Sequence, residues 1–202
     1  MKPLRSIFAV GIALAVLPCA TSLSEVIPVL EDTAGSPLTN TIPKAAGAAT
    51  TLAVSGKSIT CLKFDAQASG AAPADVIAAR LTIYLPRVTV GGTLNLFVNT
   101  STFTELFTPA RIPLPTRAGA PFATIPVTKA SSKEFVTVDV TQQVKAWLAP
   151  GASEFGFSIA SDGIASALVG AKEGPGSGYP AVPRPSPSAS PRARPASSGS
   201  TR

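Results

Sequence analysis

Hydrophobic and polar positions alternate with a period of two along most of the chain, and the period changes at one place. From Glu134, the residues Val136, Val138 and Val140 alternate with Phe135, Thr137 and Asp139, which is strand periodicity. Val144, Trp147 and Leu148 then fall at i, i+3 and i+4, one stripe of a short helix. Asp139 or Thr141 supplies a capping oxygen for its first turn, and Pro150-Gly151 ends it. A second strand follows, with Phe155, Phe157 and Ile159 on one face and Gly156, Ser158 and Ala160 on the other. Trp147, the only tryptophan, reads as a core plug, because a helical Trp with apolar neighbours is ordinarily packing; a sugar-stacking Trp is the other reading.

The same alternation marks the rest. Val26–Leu30 predicts a first, edge strand, since Pro28 would block a central ladder position. Glu31–Ala49 reads as a polar surface loop. Thr51–Val54 and Ser58–Asp65 predict a hairpin turned by Ser55-Gly56-Lys57. In Val76–Leu85, Ala79, Leu81, Ile83 and Leu85 share one face and Arg80, Thr82 and Tyr84 the other. Thr93–Thr100 returns after Gly91-Gly92. Phe103–Pro121 carries four prolines and reads as a long surface loop, functional or mobile. Phe122–Val127, interrupted by Pro126, and Ser166–Ala171 complete the set. Eight or nine short strands and one short helix at about 141–149 predict an all-β sandwich in jelly-roll or Greek-key style.

Several of these pieces, taken in order, resemble a known module. Leu52-Ala53-Val54, Cys61-Leu62-Lys63-Phe64-Asp65, Ile77–Tyr84, the run Val138–Leu148 with Phe155–Ala160, and Ala171-Lys172-Glu173 are similar to the DNRLRE-type domain. That is a secreted bacterial β-sandwich module grouped with carbohydrate-binding modules. The resemblance covers about Val26 to Val182 and is greatest to the variant that precedes collagen-like repeats. At Phe103-Thr104-Glu105 the sequence departs from the family's common Trp-x-Glu. The resemblance implies a non-catalytic, secreted or cell-surface domain that binds extracellular or cell-wall polysaccharide. The alternative it implies is the structural head of a cell-surface or collagen-like fibre.

The ends of the chain change the picture of charge. Lys2, Arg5 and the apolar run Ile7–Leu17 read as a secretory signal, residues 1–22, with small residues at Ala20 and Ser22 before the cut. That run is too short to span a bilayer, and no later stretch reads as transmembrane. Residues 183–202 are Pro/Ser/Arg text that cannot bury a core and read as a disordered tail. Lys2, Arg5 and the four arginines of the tail account for the whole net charge of +6. The sandwich, residues 23–182, is neutral and exerts no overall pull on nucleic acid. Its strand pattern stops at Val182, where Tyr179-Pro180-Ala181-Val182 leads into prolines rather than a closing strand. The domain is therefore expected to lack its last strand, through truncation or a shift of frame, unless the tail is a true linker. A missing strand would leave an edge able to pair with another chain.

Candidate chemistry is sparse. The chain has no histidine, no nucleophile-elbow or phosphate-loop glycine pattern and no Cys-x-x-Cys pair, so no enzymatic role is expected. Cys61, alone once the signal is removed, reads as a small buried residue. No cofactor is called for; a structural calcium is the alternative, with Glu31, Asp32 and Asp162 as oxygen donors. For a sugar ligand, Tyr84 stands on the polar face of its strand beside Arg80. Arg87 and Lys63 are the nearest bases, and such a row would suit an acidic polysaccharide. The competing reading of Tyr84 is an aromatic that fills the second face of the sandwich.

Overall fold

The computed structural model describes residues 25–43, 46–105 and 112–174. The signal-like run, the tail and the point at which the closing strand would fail lie outside the described residues. Within them the chain forms ten strands. These are β1 (Glu31–Gly35), β2 (Thr51–Val54), β3 (Ile59–Lys63), β4 (Arg80–Leu85), β5 (Arg87–Val90), β6 (Gly92–Val98), β7 (Ala123–Val127), β8 (Glu134–Asp139), β9 (Phe157–Ser161) and β10 (Ser166–Gly170). One helix, α1 (Thr141–Trp147), follows β8. All pairings are antiparallel, in a five-stranded sheet β1-β3-β9-β6-β7, a three-stranded sheet β2-β10-β5 and a two-stranded sheet β4-β8. β4 and β5 are one run divided at Pro86, and β10 lies against both. The two smaller sheets thus form a second layer facing the first, an all-β sandwich.

Apolar residues from both layers meet between them. Leu52, Val54, Leu81, Ile83, Leu85, Val138 and Val169 come from the small sheets, and Leu62, Leu94, Leu96, Ile125, Phe157 and Ile159 from the large one. Trp147 is 4% exposed and sits among them, its ring 4.9 Å from that of Phe157. It is the core plug that the helical stripe predicts. The helix ends at Trp147, two residues short of the expected 149, and Leu148 caps its C-terminal end. Asp139 Oδ1 accepts the Thr141 N–H at 2.9 Å, whereas the Thr141 hydroxyl accepts the Ala79 N–H at 2.9 Å and ties the helix to the start of β4.

The large sheet is also covered on its outer face. Ile42, Ile59, Cys61, Phe103 and Ala160 form a second cluster, with Phe97, Ile112 and Leu114 packed on it. The segment expected to be a long surface loop, functional or mobile, Phe103–Pro121, is in its described parts a cover whose apolar residues seal that face. Beneath it a polar chain is fully satisfied: Asn99 Nδ2 donates to Phe155 O at 3.0 Å, Ser158 Oγ donates to Asn99 Oδ1 at 2.6 Å, and Cys61 Sγ lies 3.5 Å from Ser158 Oγ.

Three other expectations are corrected. Residues 26–30 are not a strand, although the Leu30 N–H reaches Lys63 O; the strand is the polar stretch 31–35 that follows. Its Asp32 and Thr33 are buried, so alternation of apolar residues could not mark it. β2 and β3 do join through a tight turn, with Ser55 paired to Ser58, but they belong to opposite layers, so the turn is a corner and not a hairpin within one sheet. Pro126 does not break β7, because β7 is an edge strand where one missing donor costs no ladder bond. Gly156 is obligatory at the entry to β9: its φ is 77°, and a Cβ there would lie 2.0 Å from Leu62 O.

Trp147→Ala is expected to destabilise the fold by ~3–5 kcal/mol, as truncations of large core aromatics do; a denaturant midpoint equal to wild type would contradict the plug. Cys61 is 0% exposed and burial pushes its thiol up to about 11. It is expected to resist thiol reagents in native protein and to react rapidly in denaturant; fast native labelling would show that the cover over the large sheet is open.

Candidate functional site

The four residues singled out for sugar binding divide between the layers. Lys63 ends β3 in the large sheet and pairs with Glu31 at 3.5 Å, away from the others. Arg80 and Tyr84 lie on β4, and Arg87 on β5, in the second layer. Burial alternates along β4 with Leu81, Ile83 and Leu85 inward, so Arg80, Thr82 and Tyr84 face out. The register with β8 sets Arg80 opposite Asp139, Thr82 opposite Thr137 and Tyr84 opposite Phe135. On β5, Arg87 lies opposite Leu168 of β10, both on the outer side of a sheet whose Val88 and Ala167 point inward.

Cross-strand pairing supplies the residue that reading single strands missed. The Tyr84 and Phe135 rings stand 4.9 Å apart, inclined by 44°. Phe135, the second residue of β8, is 53% exposed although it is a large aromatic paired within a sheet. A Cβ added at Gly170 would come within 3.4 Å of the Tyr84 ring, so that ring extends over β10 and the glycine makes room for it. The outer face of the second layer therefore carries two aromatics flanked by Arg80 and Arg87. Phe135 was visible in the sequence on the polar face of its strand; its pairing with Tyr84 was not.

The outer face of the large sheet offers less. A shallow, open depression of about 430 Å³ lies beside Phe97 and Pro115. The Arg117 guanidinium sits over the Phe97 ring at 4.9 Å and covers the face a ligand would need.

A second constellation gathers at the free edge of β1. Asp32 is 1% exposed. Its Oδ2 accepts the Lys172 backbone N–H at 2.6 Å, and its own N–H donates to Glu105 Oε2 at 2.9 Å. The Lys172 ammonium pairs with Glu105 Oε1 and, at 3.2 Å, with Glu173 Oε1. One carboxylate oxygen from each of Asp32, Glu105 and Glu173 lies within 4.8 Å of those of the other two. Burial pushes the Asp32 carboxyl up to about 7; Glu173 and Glu105 push the same way, against the Lys172 N–H and ammonium. Of the three residues expected as calcium donors, only Asp32 belongs here. Glu31 pairs with Lys63, and Asp162 is consumed by the β9–β10 turn, accepting N–H groups from Thr93, Ile164 and Ala165. These three bonds, the Ala165 N–H first, together with one from the Ser161 hydroxyl, hold Asp162 down at about 2.

No family model and no curated protein matches the sequence. No helix among the described residues is long and apolar enough to cross a membrane.

The buried Asp32 has a signed consequence. Its folded value lies above its ordinary 3.8, so the folded state keeps a proton that the unfolded state releases. The contribution of this group to stability is greatest below pH 3.8 and declines as pH rises to about 7. In chelator, the stability of wild type relative to Asp32→Asn is expected to fall across that window. A difference independent of pH would contradict the assignment.

Proposed function

We propose that this is a non-catalytic, secreted or cell-surface domain that binds polysaccharide on the outer face of its second layer. The observation that carries the reading is the Tyr84–Phe135 pair on an open sheet face. Leaving a large aromatic half in water gains nothing for folding, and flat ring faces stack on the C–H faces of sugars. The resemblance to DNRLRE-type modules and the signal-like N-terminus support the same reading.

The geometry favours one kind of chain. Two ring faces inclined by 44° cannot both lie flat against a planar crystalline surface; a single, twisting chain meets each in turn. Charge is a lesser guide. Lys63 is on the other layer and Asp139 stands opposite Arg80, so two arginines remain rather than a basic row. Stacking carries recognition, and Arg80 and Arg87 add hydrogen-bond donors at its margins.

The test uses affinity electrophoresis in alginate and pull-down on amorphous and crystalline cellulose, chitin and peptidoglycan. Binding to at least one amorphous or soluble chain is expected, with crystalline cellulose poor. Tyr84→Ala and Phe135→Ala are each expected to weaken binding by ~10-fold, equivalent to ~1.4 kcal/mol, while Phe135→Ala leaves the melting curve nearly unchanged. Binding to none of these, or binding untouched by both substitutions, would overturn the reading and leave the structural head of a fibre as the alternative.

A further inference from the structure

The cluster at the edge of β1 carries more negative charge than its partners neutralise. Among the described residues, three carboxylates face one ammonium, that of Lys172. Two of their oxygens, Asp32 Oδ1 and Glu173 Oε2, are buried and have no hydrogen-bond partner. A buried carboxylate oxygen without a donor or a cation is costly, and the Asp32 side chain is shut off from bulk water. The adjacent oxygen of each carboxylate is held in place, by the Lys172 N–H for Asp32 and by the Lys172 ammonium for Glu173. The unpartnered atoms are thus fixed rather than loose.

We propose that Asp32, Glu105 and Glu173 form a Ca²⁺ site, for which the Lys172 ammonium is the competing internal cation. The donor set is oxygen only, which selects a hard cation. Ca²⁺ binds oxygens at ~2.3–2.6 Å and so bridges atoms up to ~5 Å apart, whereas Mg²⁺ demands a near-octahedral shell at ~2.0–2.1 Å and keeps its waters. Oxygens within 4.8 Å of one another match the larger ion. Each carboxylate offers one oxygen, since Asp32 Oδ2 and Glu105 Oε2 are engaged by N–H groups, and water completes the six to eight ligands that Ca²⁺ takes.

The site would act as a clasp. Its ligands come from β1, from the start of the cover and from the chain leaving β10. Contacts within it already link residues 73 and 140 positions apart. An ion held there ties three distant segments of a small sandwich without a disulfide. Ca²⁺ binding shifts the ammonium away from Glu105 and Glu173, so removing Lys172 should favour the metal.

The test is a Ca²⁺ titration of the full chain after EDTA treatment, read by calorimetry and by melting temperature, with Mg²⁺ as control. Saturable binding of one Ca²⁺ that raises Tm is expected, with a dissociation constant at or below the ~10⁻⁴–10⁻³ M of extracellular modules, and a much weaker response to Mg²⁺. Asp32→Asn should abolish the binding, and Lys172→Met should tighten it several-fold. If Asp32→Asn does not fold, Glu173→Gln, on a more exposed carboxylate, serves in its place. No heat and no shift in Tm at ~5 mM Ca²⁺, well above that range, would overturn the proposal. So would Ca²⁺ binding that survives both carboxylate substitutions.

Discussion

Burial of the large sheet on both faces is the constraint from which the rest of the structure follows. β9 runs through its centre and shows the consequence most directly. Phe157 and Ile159 enter the core between the layers, while Ser158 and Ala160 face the second, outer cluster. A strand buried on both faces has no polar side to give to solvent, so its one fully buried hydroxyl, that of Ser158, must be paired inside. Asn99 and Cys61 do that. The cover that seals the outer face is anchored at the same Asn99, which pairs with Arg117.

This arrangement divides the molecule into a closed side and an open one. On the closed side, the segment around Phe103 must run down to the free edge of β1, and Glu105 arrives there with it. A polar strand edge then receives a carboxylate on its N–H, and the acidic cluster assembles around it. On the open side, no described residue covers the second layer as the Phe103–Pro121 segment covers the first. Its outer face keeps the usual mixture of polar side chains, with two aromatics added. The placement of candidate chemistry is thus a by-product of which sheet is sealed.

Much of this was legible where a property repeats locally. The faces of β4, β6 and β9 and the core role of Trp147 follow from the period of apolar residues, because alternation and burial are the same fact seen twice. β1 was missed because its buried side chains are Asp32 and Thr33, and the neighbouring Val-Ile-Pro-Val-Leu looked more like a strand. The Ser55–Ser58 turn was found but set within one sheet, since a period of two says nothing about which layer a strand joins. The period of two puts Tyr84 on the outer face of β4, where it lies, but it cannot tell that Lys63 belongs to the other layer. Of the acidic cluster only Asp32 stood among the expected oxygen donors; nothing local joined it to Glu105 or Glu173. Asp32, Glu105 and Glu173 are brought together only by the sealed face.

The central claim is that the open face of the second layer, and not the sealed one, is where this protein meets its ligand. An NMR titration of the labelled protein with an oligosaccharide of the retained polysaccharide tests it most directly. The account predicts amide and ring shifts confined to β4, β8 and β10, around Tyr84, Phe135 and Gly170, with the Phe97–Arg117 region silent. Shifts centred on Phe97 and Arg117, or spread along the acidic edge of β1 with Tyr84 and Phe135 unmoved, would contradict it.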